Sequence, residues 1–292
     1  MLGGGGGRGA AQVGVLLALF EAGVEPPARI VGASVGALNG ATLAAYPSIA
    51  GAGMLRELWL SQWAQNVFRA HPLSLVLSRL RMRSLTALPP SNVRRLIERA
   101  IQLVGVEAFE GLRVPLDVVA TDIGAGRPRV FSSGPLAPAL MASTAIPGIF
   151  PAVDIDGTGY LDGGIVDNMP ISLAVERGSR EIVGVELMAG GELERRPAAW
   201  PELMARTLQL ILHHRVLADF DRLRNRARVV LFCPVLPPSA GVDMRREPVA
   251  ELIELARLAT LRLLQQRGQR LFRHSAIHYV ELRPSAAAAN VG

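Results

Sequence analysis

Ser34 stands in the spacing that makes a serine a nucleophile. Gly32-Ala33-Ser34-Val35-Gly36 has the form G-x-S-x-G, with β-branched Ile30-Val31 before it and an Ala- and Leu-rich run to Ala45 after it. Such a sequence predicts a buried strand that turns into a helix within a few residues. The turn strains the backbone at the serine, and Gly32 and Gly36 remove side chains that would clash there. The hydroxyl is left at a helix N-terminus, where free N–H groups favour developing negative charge.

A second stretch with chemical meaning opens the chain. Gly3 to Gly7, Arg8 and Gly9 lead directly into Ala10 to Ala22, where Val13, Leu16, Leu17 and Phe20 fall on one helical face that Gly23 ends. A glycine run feeding a helix N-terminus is an anion cradle. It reads in three ways. A flexible tail is disfavoured by Arg8 and the immediate helix. Gly4, Gly6 and Gly9 satisfy the G-x-G-x-x-G dinucleotide fingerprint, yet the strand Arg29 to Ala33 ends in Ser34 without the carboxylate that holds a ribose. The third reading is an oxyanion hole, which suits a serine at the end of the next strand.

A nucleophilic serine needs a base. Ser34, Asp162 and either His274 or His278 follow the familiar Ser, Asp, His order, but His278 lies in a strand-like alternation and His274 at an exposed helix end. Asp162 precedes Gly163 and Gly164, a pattern that by itself marks a turn. His213 and His214 are adjacent rather than four apart, so they do not face one metal, and no metal site or cofactor is implied.

The elements that must carry these residues alternate. Val114 to Asp122, Pro128 to Phe131, Glu181 to Leu187, Arg228 to Phe232 and Ile277 to Leu282 predict strands. Leu140 to Val153 predicts a helix broken by Pro147, and Trp200 to Arg226 and Leu252 to Arg267 predict longer ones. This alternation implies a mainly parallel α/β sheet with helices on both faces. We expect one domain over 1–285, with a helical cap-like segment at 54–104 and a disordered tail at 286–292.

Half of the 292 residues are apolar, enough for a sizeable core. The net charge of +6 is carried entirely by arginine, since the chain has no lysine. It concentrates in 56–100, where Arg56, Arg69, Arg79, Arg81, Arg83, Arg94, Arg95 and Arg99 face only Glu57 and Glu98. Within it, Leu73 to Arg83 mixes bulky apolar residues with arginines. It suits either a cap helix with a solvated face or a segment lying on anionic lipid. Cys233 stands alone, which excludes a disulfide framework and points to a reducing compartment. No basic and apolar leader opens the chain, and the uncharged run Ile30 to Leu55 is too rich in glycine to read as membrane-spanning. A cytoplasmic protein is expected, peripheral to the inner face of the membrane, with no nucleic-acid partner.

Taken in order, Gly4-Gly5-Gly6-Gly7-Arg8-Gly9, Gly32-Ala33-Ser34-Val35-Gly36, Ala142-Ser143-Thr144-Ala145-Ile146-Pro147 and Asp162-Gly163-Gly164 resemble the patatin-like phospholipase family. The resemblance spans roughly residues 3–190 and implies a three-layer α/β/α sandwich. It implies a Ser–Asp dyad, with Ser34 as nucleophile and Asp162 as general base. Gly5 and Gly6 would donate their N–H groups to the oxyanion, supported by Gly4, Gly7, Gly9 and Arg8, with Arg8 also placed to meet a substrate phosphate. Gly32, Gly36, Gly163 and Gly164 are the motif glycines. The implied reaction is hydrolysis of acyl esters of phospholipids or lysophospholipids. A general carboxylesterase or acylglycerol lipase, and a catalytically weak membrane-surface binding protein, are the alternatives. The family carries a full strand before the glycine loop, where only Met1-Leu2 stand here. That strand is expected to be absent or vestigial, leaving its neighbour with an exposed edge.

Overall fold

Short runs of β-branched residues form the centre of the molecule. The computed structural model describes residues 1–67, 88–190, 196–197, 200–236, 240 and 243–282. The expectations for Leu73 to Arg83 and for the tail at 286–292 therefore lie outside the described residues.

The first half-sheet holds β1 (Ile30–Ala33), β2 (Leu116–Asp122), β3 (Arg127–Phe131), β4 (Val153–Ile155) and β5 (Thr158–Asp162). Its order is β1-β2-β5-β4, with β3 also paired to β2. The second holds β6 (Glu181–Val185), β7 (Arg228–Val235) and β8 (Ala276–Glu281), in that order. All four residues of β1 and six of seven in β2 are buried, as strands covered on both faces must be. β1 and β2 run parallel, as do β6, β7 and β8, whereas β3, β4 and β5 make antiparallel pairs at one edge.

Two residues seam the half-sheets. Leu2 bridges Gly32 of β1 and Val185 of β6, both in parallel. The Leu2 N–H donates to Val31 O at 2.9 Å, and Val185 N–H donates to Met1 O at 3.0 Å. The stretch entering the glycine loop is thus joined on both sides, which corrects the expectation of an exposed edge on its neighbour. Beside it opens a cleft lined by Met1, Leu16, Phe20, Ile30, Ile182 and Phe272.

Helices pack on both faces. These are α1 (Gly9–Glu21), α2 (Val35–Ala45), α3 (Ile49–Trp59), α4 (Gln62–Asn66), α5 (Ser91–Val104), α6 (Leu136–Ser143), α7 (Gly164–Asp167), α8 (Ile171–Glu176), α9 (Trp200–Leu223) and α10 (Arg246–Arg267). α1 lies along α10 and α3. α6 stops at Ser143 rather than running on to Pro147, because a proline disfavours helical backbone before it. Asp162, expected from its glycines to lie in a turn, ends strand β5 instead, with Ala120 of β2 opposite.

Candidate active site

Ser34 sits between β1 and α2 with φ 54 and ψ −130. Among the described residues, only Asp156 is a second non-glycine with positive φ. A left-handed serine costs on the order of 1–3 kcal/mol and persists because its surroundings over-determine it. Here those surroundings are visible. A Cβ on Gly36 would overlap the carbonyl of Leu2, so the α2 backbone closes directly onto the seam. The Ser34 N–H donates to Ser143 Oγ at 2.8 Å, and Ser143 Oγ–H donates to Val119 O at 2.6 Å.

The structure brings Ser34 and Asp162 together: Ser34 Oγ–H donates to Asp162 Oδ2 at 2.6 Å, and both side chains are buried. The other carboxylate oxygen, Oδ1, accepts the Gly164 N–H at 2.8 Å. Gly163 has no room for a Cβ against Val119 O, which is how α7 starts immediately after the strand. Burial pushes the Asp162 carboxyl up to about 6, against the opposing pull of the bonds from Ser34 and Gly164. An ordinary aspartate ionises near 4. Desolvation makes Asp162 a stronger base than the sequence suggests.

The glycine loop approaches Ser34 from the seam. The Gly3 N–H is committed to Val185 O at 3.1 Å and the Gly4 N–H to Asn168 O at 3.2 Å, and none of the loop's backbone bonds uses the N–H of Gly5 or Gly6. Gly6 takes φ 57, a conformation that favours glycine. Gly4 has no space for a side chain between Asn168 and Ser34. Gly9 likewise abuts Val35 and Trp59. Gly7 is buried in the turn that leads to α1. Arg8 turns its guanidinium toward the Met188 sulfur, 3.9 Å away, and burial lowers its pKa in the combined field of Glu186 and Arg206.

Several residues that hold the loop escape a reading of motifs. Gln12 donates to Gly3 O at 2.7 Å, Asn39 donates to Gln12 Oε1 at 2.9 Å, and the Trp59 indole donates to Asn39 Oδ1 at 2.9 Å. Glu186, fully buried, accepts the N–H groups of Met188 and Ala189 at 2.6 and 2.8 Å. Ser143 lies inside one of the matching blocks but its spacing signals no role. The polar positions 12 and 39 on otherwise apolar helices are the one signal available.

Among the described residues, no histidine bonds to Ser34 or Asp162. His278 lies on β8, beyond β6 and β7 from the seam. Four strand spacings from β1 amount to about 19 Å. From Ser34 a narrow apolar cavity of about 40 Å³ runs among Leu38, Trp59, Val67, Leu96, Phe150 and Met244.

A mixed α/β sheet with helices on both faces, a serine at its strand-to-helix elbow and a glycine loop opposite define the class of fold. The chain belongs to the patatin-like phospholipase family, whose model matches residues 1–175. An uncharacterized NTE family protein of Mycobacterium tuberculosis is 36% identical over 171 residues, covering 59% of this chain and 43% of that protein. Patatin-like phospholipase domain-containing protein 7 of Mus musculus is 32% identical over 198 residues, 66% of this chain and 14% of that protein. The chain thus spans less than half the length of these relatives. Among solved structures, VipD from Legionella pneumophila superposes with a TM-score of 0.46 at 16% identity, covering 91% of this chain and 66% of that one.

Proposed function

We propose that this chain hydrolyses acyl esters of phospholipids or lysophospholipids with Ser34 and Asp162. The observation that carries the reading is the 2.6 Å bond between the Ser34 hydroxyl and a desolvated carboxylate, at the mouth of an apolar cavity. Ser34 Oγ attacks the ester carbonyl carbon while Asp162 takes its proton. The N–H groups of Gly5 and Gly6 stabilise the oxyanion of the tetrahedral intermediate. As that intermediate collapses, the alcohol leaves with the proton from Asp162 and the acyl group stays on Ser34. A water then gives its proton to Asp162 and attacks the acyl-enzyme, and the second collapse returns Ser34 its proton and frees the fatty acid.

The apolar lining favours an acyl chain over a polar group beside Ser34, because each buried methylene contributes about 0.8 kcal/mol. In this reading Arg8, beside the glycine loop, meets the substrate phosphate. The test is a panel of lysophospholipids, diacyl phospholipids, acylglycerols and short-chain esters, run with wild type and Ser34→Ala. The expected result is release of fatty acid from the phospholipids by wild type alone, with fluorophosphonate labelling at Ser34. An unlabelled wild type with no turnover would leave a binding protein.

A further inference from the structure

α9 buries an apolar face along its second half and exposes another, on the opposite side, along its first. Gln209, Leu212, Val216 and Phe220 turn inward and are buried. On the other side, Trp200 is 70% exposed, Leu208 51% and Ile211 59%, joined by Leu203 and Met204. At 100° per residue these five share one stripe nearly opposite the buried one. The stripe stops abruptly: beyond it the outward positions are His214, Arg215, Ala218 and Arg222, all exposed. Folding of the described residues therefore leaves three turns of helix with an uncovered apolar face, and only those three.

That half of α9 is the half tied to the site. Arg206 and Gln209 pack against Gly190, where a Cβ would overlap both. The Met188–Gly190 segment leads back to Arg8 through the Met188 sulfur, and Leu187 lies against Gly5. The stripe thus lies across one helix from the segment that borders the glycine loop.

We infer that the stripe Trp200, Leu203, Met204, Leu208 and Ile211 docks the protein on an anionic lipid bilayer, so that the cavity opens toward the surface holding its substrate. The inference rests on the hydrolase reading only for the nature of that substrate. Three observations select a bilayer. The outward face from 200 to 211 carries no charge, and a tryptophan stands at its end, where interfacial aromatics gather. The net charge of +6, carried by residues 56–100 and not by the stripe, adds a general attraction to anionic headgroups. The stripe is also too small for a second copy: about 17 Å by about 10 Å is on the order of 200 Å² a side, against about 800 Å² in a standard interface.

The test compares wild type, Leu208→Glu/Ile211→Glu, Trp200→Phe, and Ala218→Glu on the polar half of the same face. Binding is read by sedimentation with sucrose-loaded vesicles of phosphatidylglycerol and phosphatidylcholine. The double variant should bind at least 10-fold more weakly, and Ala218→Glu should bind like wild type. On adding vesicles, wild-type tryptophan emission should shift blue, and Trp200→Phe should lose that shift. Hydrolysis of vesicle lipid should fall with binding in the double variant, while turnover of p-nitrophenyl butyrate and melting temperature stay at wild-type values. Undiminished vesicle binding by a folded double variant overturns the inference. So does a wild-type dimer in sedimentation velocity that the double variant abolishes, which would give the stripe to a second copy. Wild type that binds vesicles through the stripe yet cleaves no ester would sink the hydrolase reading and leave the docking face intact.

Discussion

Replacing Asp162 by asparagine should abolish turnover and make the protein more stable. Burial raises the carboxyl to about 6, against about 4 in an unfolded chain. Between those values the folded state binds a proton that the unfolded state has released. Stability therefore falls as pH rises from about 4 to about 6 and stays low above. Two pKa units amount to about 3 kcal/mol lost at pH 8. Asparagine keeps an acceptor for the Gly164 N–H and presents an amide to Ser34 Oγ, so the packing survives while the buried charge goes. For a chain of this size the gain is a melting temperature about 5–10 °C higher at pH 8. Asp167 is also held near 6 by burial, so the informative quantity is the difference between variant and wild type across pH, in which its contribution cancels. That difference should shrink below pH 6 and vanish near pH 4. Calorimetry from pH 4 to 9 measures it, and a variant no more stable than wild type at pH 8 would refute the desolvation argument.

Other outcomes follow from the same geometry. Wild-type kcat/KM should fall as pH drops through about 6, as the base becomes protonated, in a profile taken with a soluble ester. Ser143→Ala leaves the Ser34 N–H without its acceptor, and denaturant titration should show a loss of about 1–3 kcal/mol along with reduced kcat. Asn39→Leu severs the chain from Trp59 to Gln12, leaving the buried Trp59 indole N–H without an acceptor and Gln12 Oε1 and Gly9 O without their donor; thermal melts should show severe destabilisation. Leu96→Trp fills the cavity, so the ratio of kcat/KM for long over short acyl chains should drop at least 10-fold in a chain-length series.

The candidate site was legible in the sequence wherever backbone and side chain had to agree locally. The elbow at Ser34 and the glycine loop announce themselves because few residue types tolerate a left-handed turn or a carbonyl in van der Waals contact. Strand β1 and helices α1 and α2 follow from the same stretches. What stayed hidden depends on partners distant in sequence. Asp162 reads as a turn residue because the antiparallel pairing with Ala120, which makes it the end of a strand, leaves no local mark. Its raised pKa is hidden for the same reason, since desolvation is a property of the assembled core. α10 begins at Arg246, ahead of the expected Leu252, because Glu247 and Pro248 suit a first helical turn without adding to an apolar periodicity. The uncovered stripe on α9 is invisible to periodicity, since apolar residues on both faces erase the contrast on which amphipathic patterns rest.

The seam at Met1 and Leu2 also sets an order of assembly. The β1–β5 half-sheet draws on residues 30–162 and can pair its strands without help from the later chain. The glycine loop cannot be fixed in that half alone, because Met1 and Gly3 bond to Val183 and Val185, and Met1 is 182 positions from its partner. During synthesis the nucleophile's elbow is thus complete long before the loop facing it has anything to rest on. A ribosome-bound chain lacking β6 would hold Ser34 and Asp162 but no anchored cradle for negative charge. The site on which the proposed hydrolysis rests is thus complete only once the second half-sheet has begun to form.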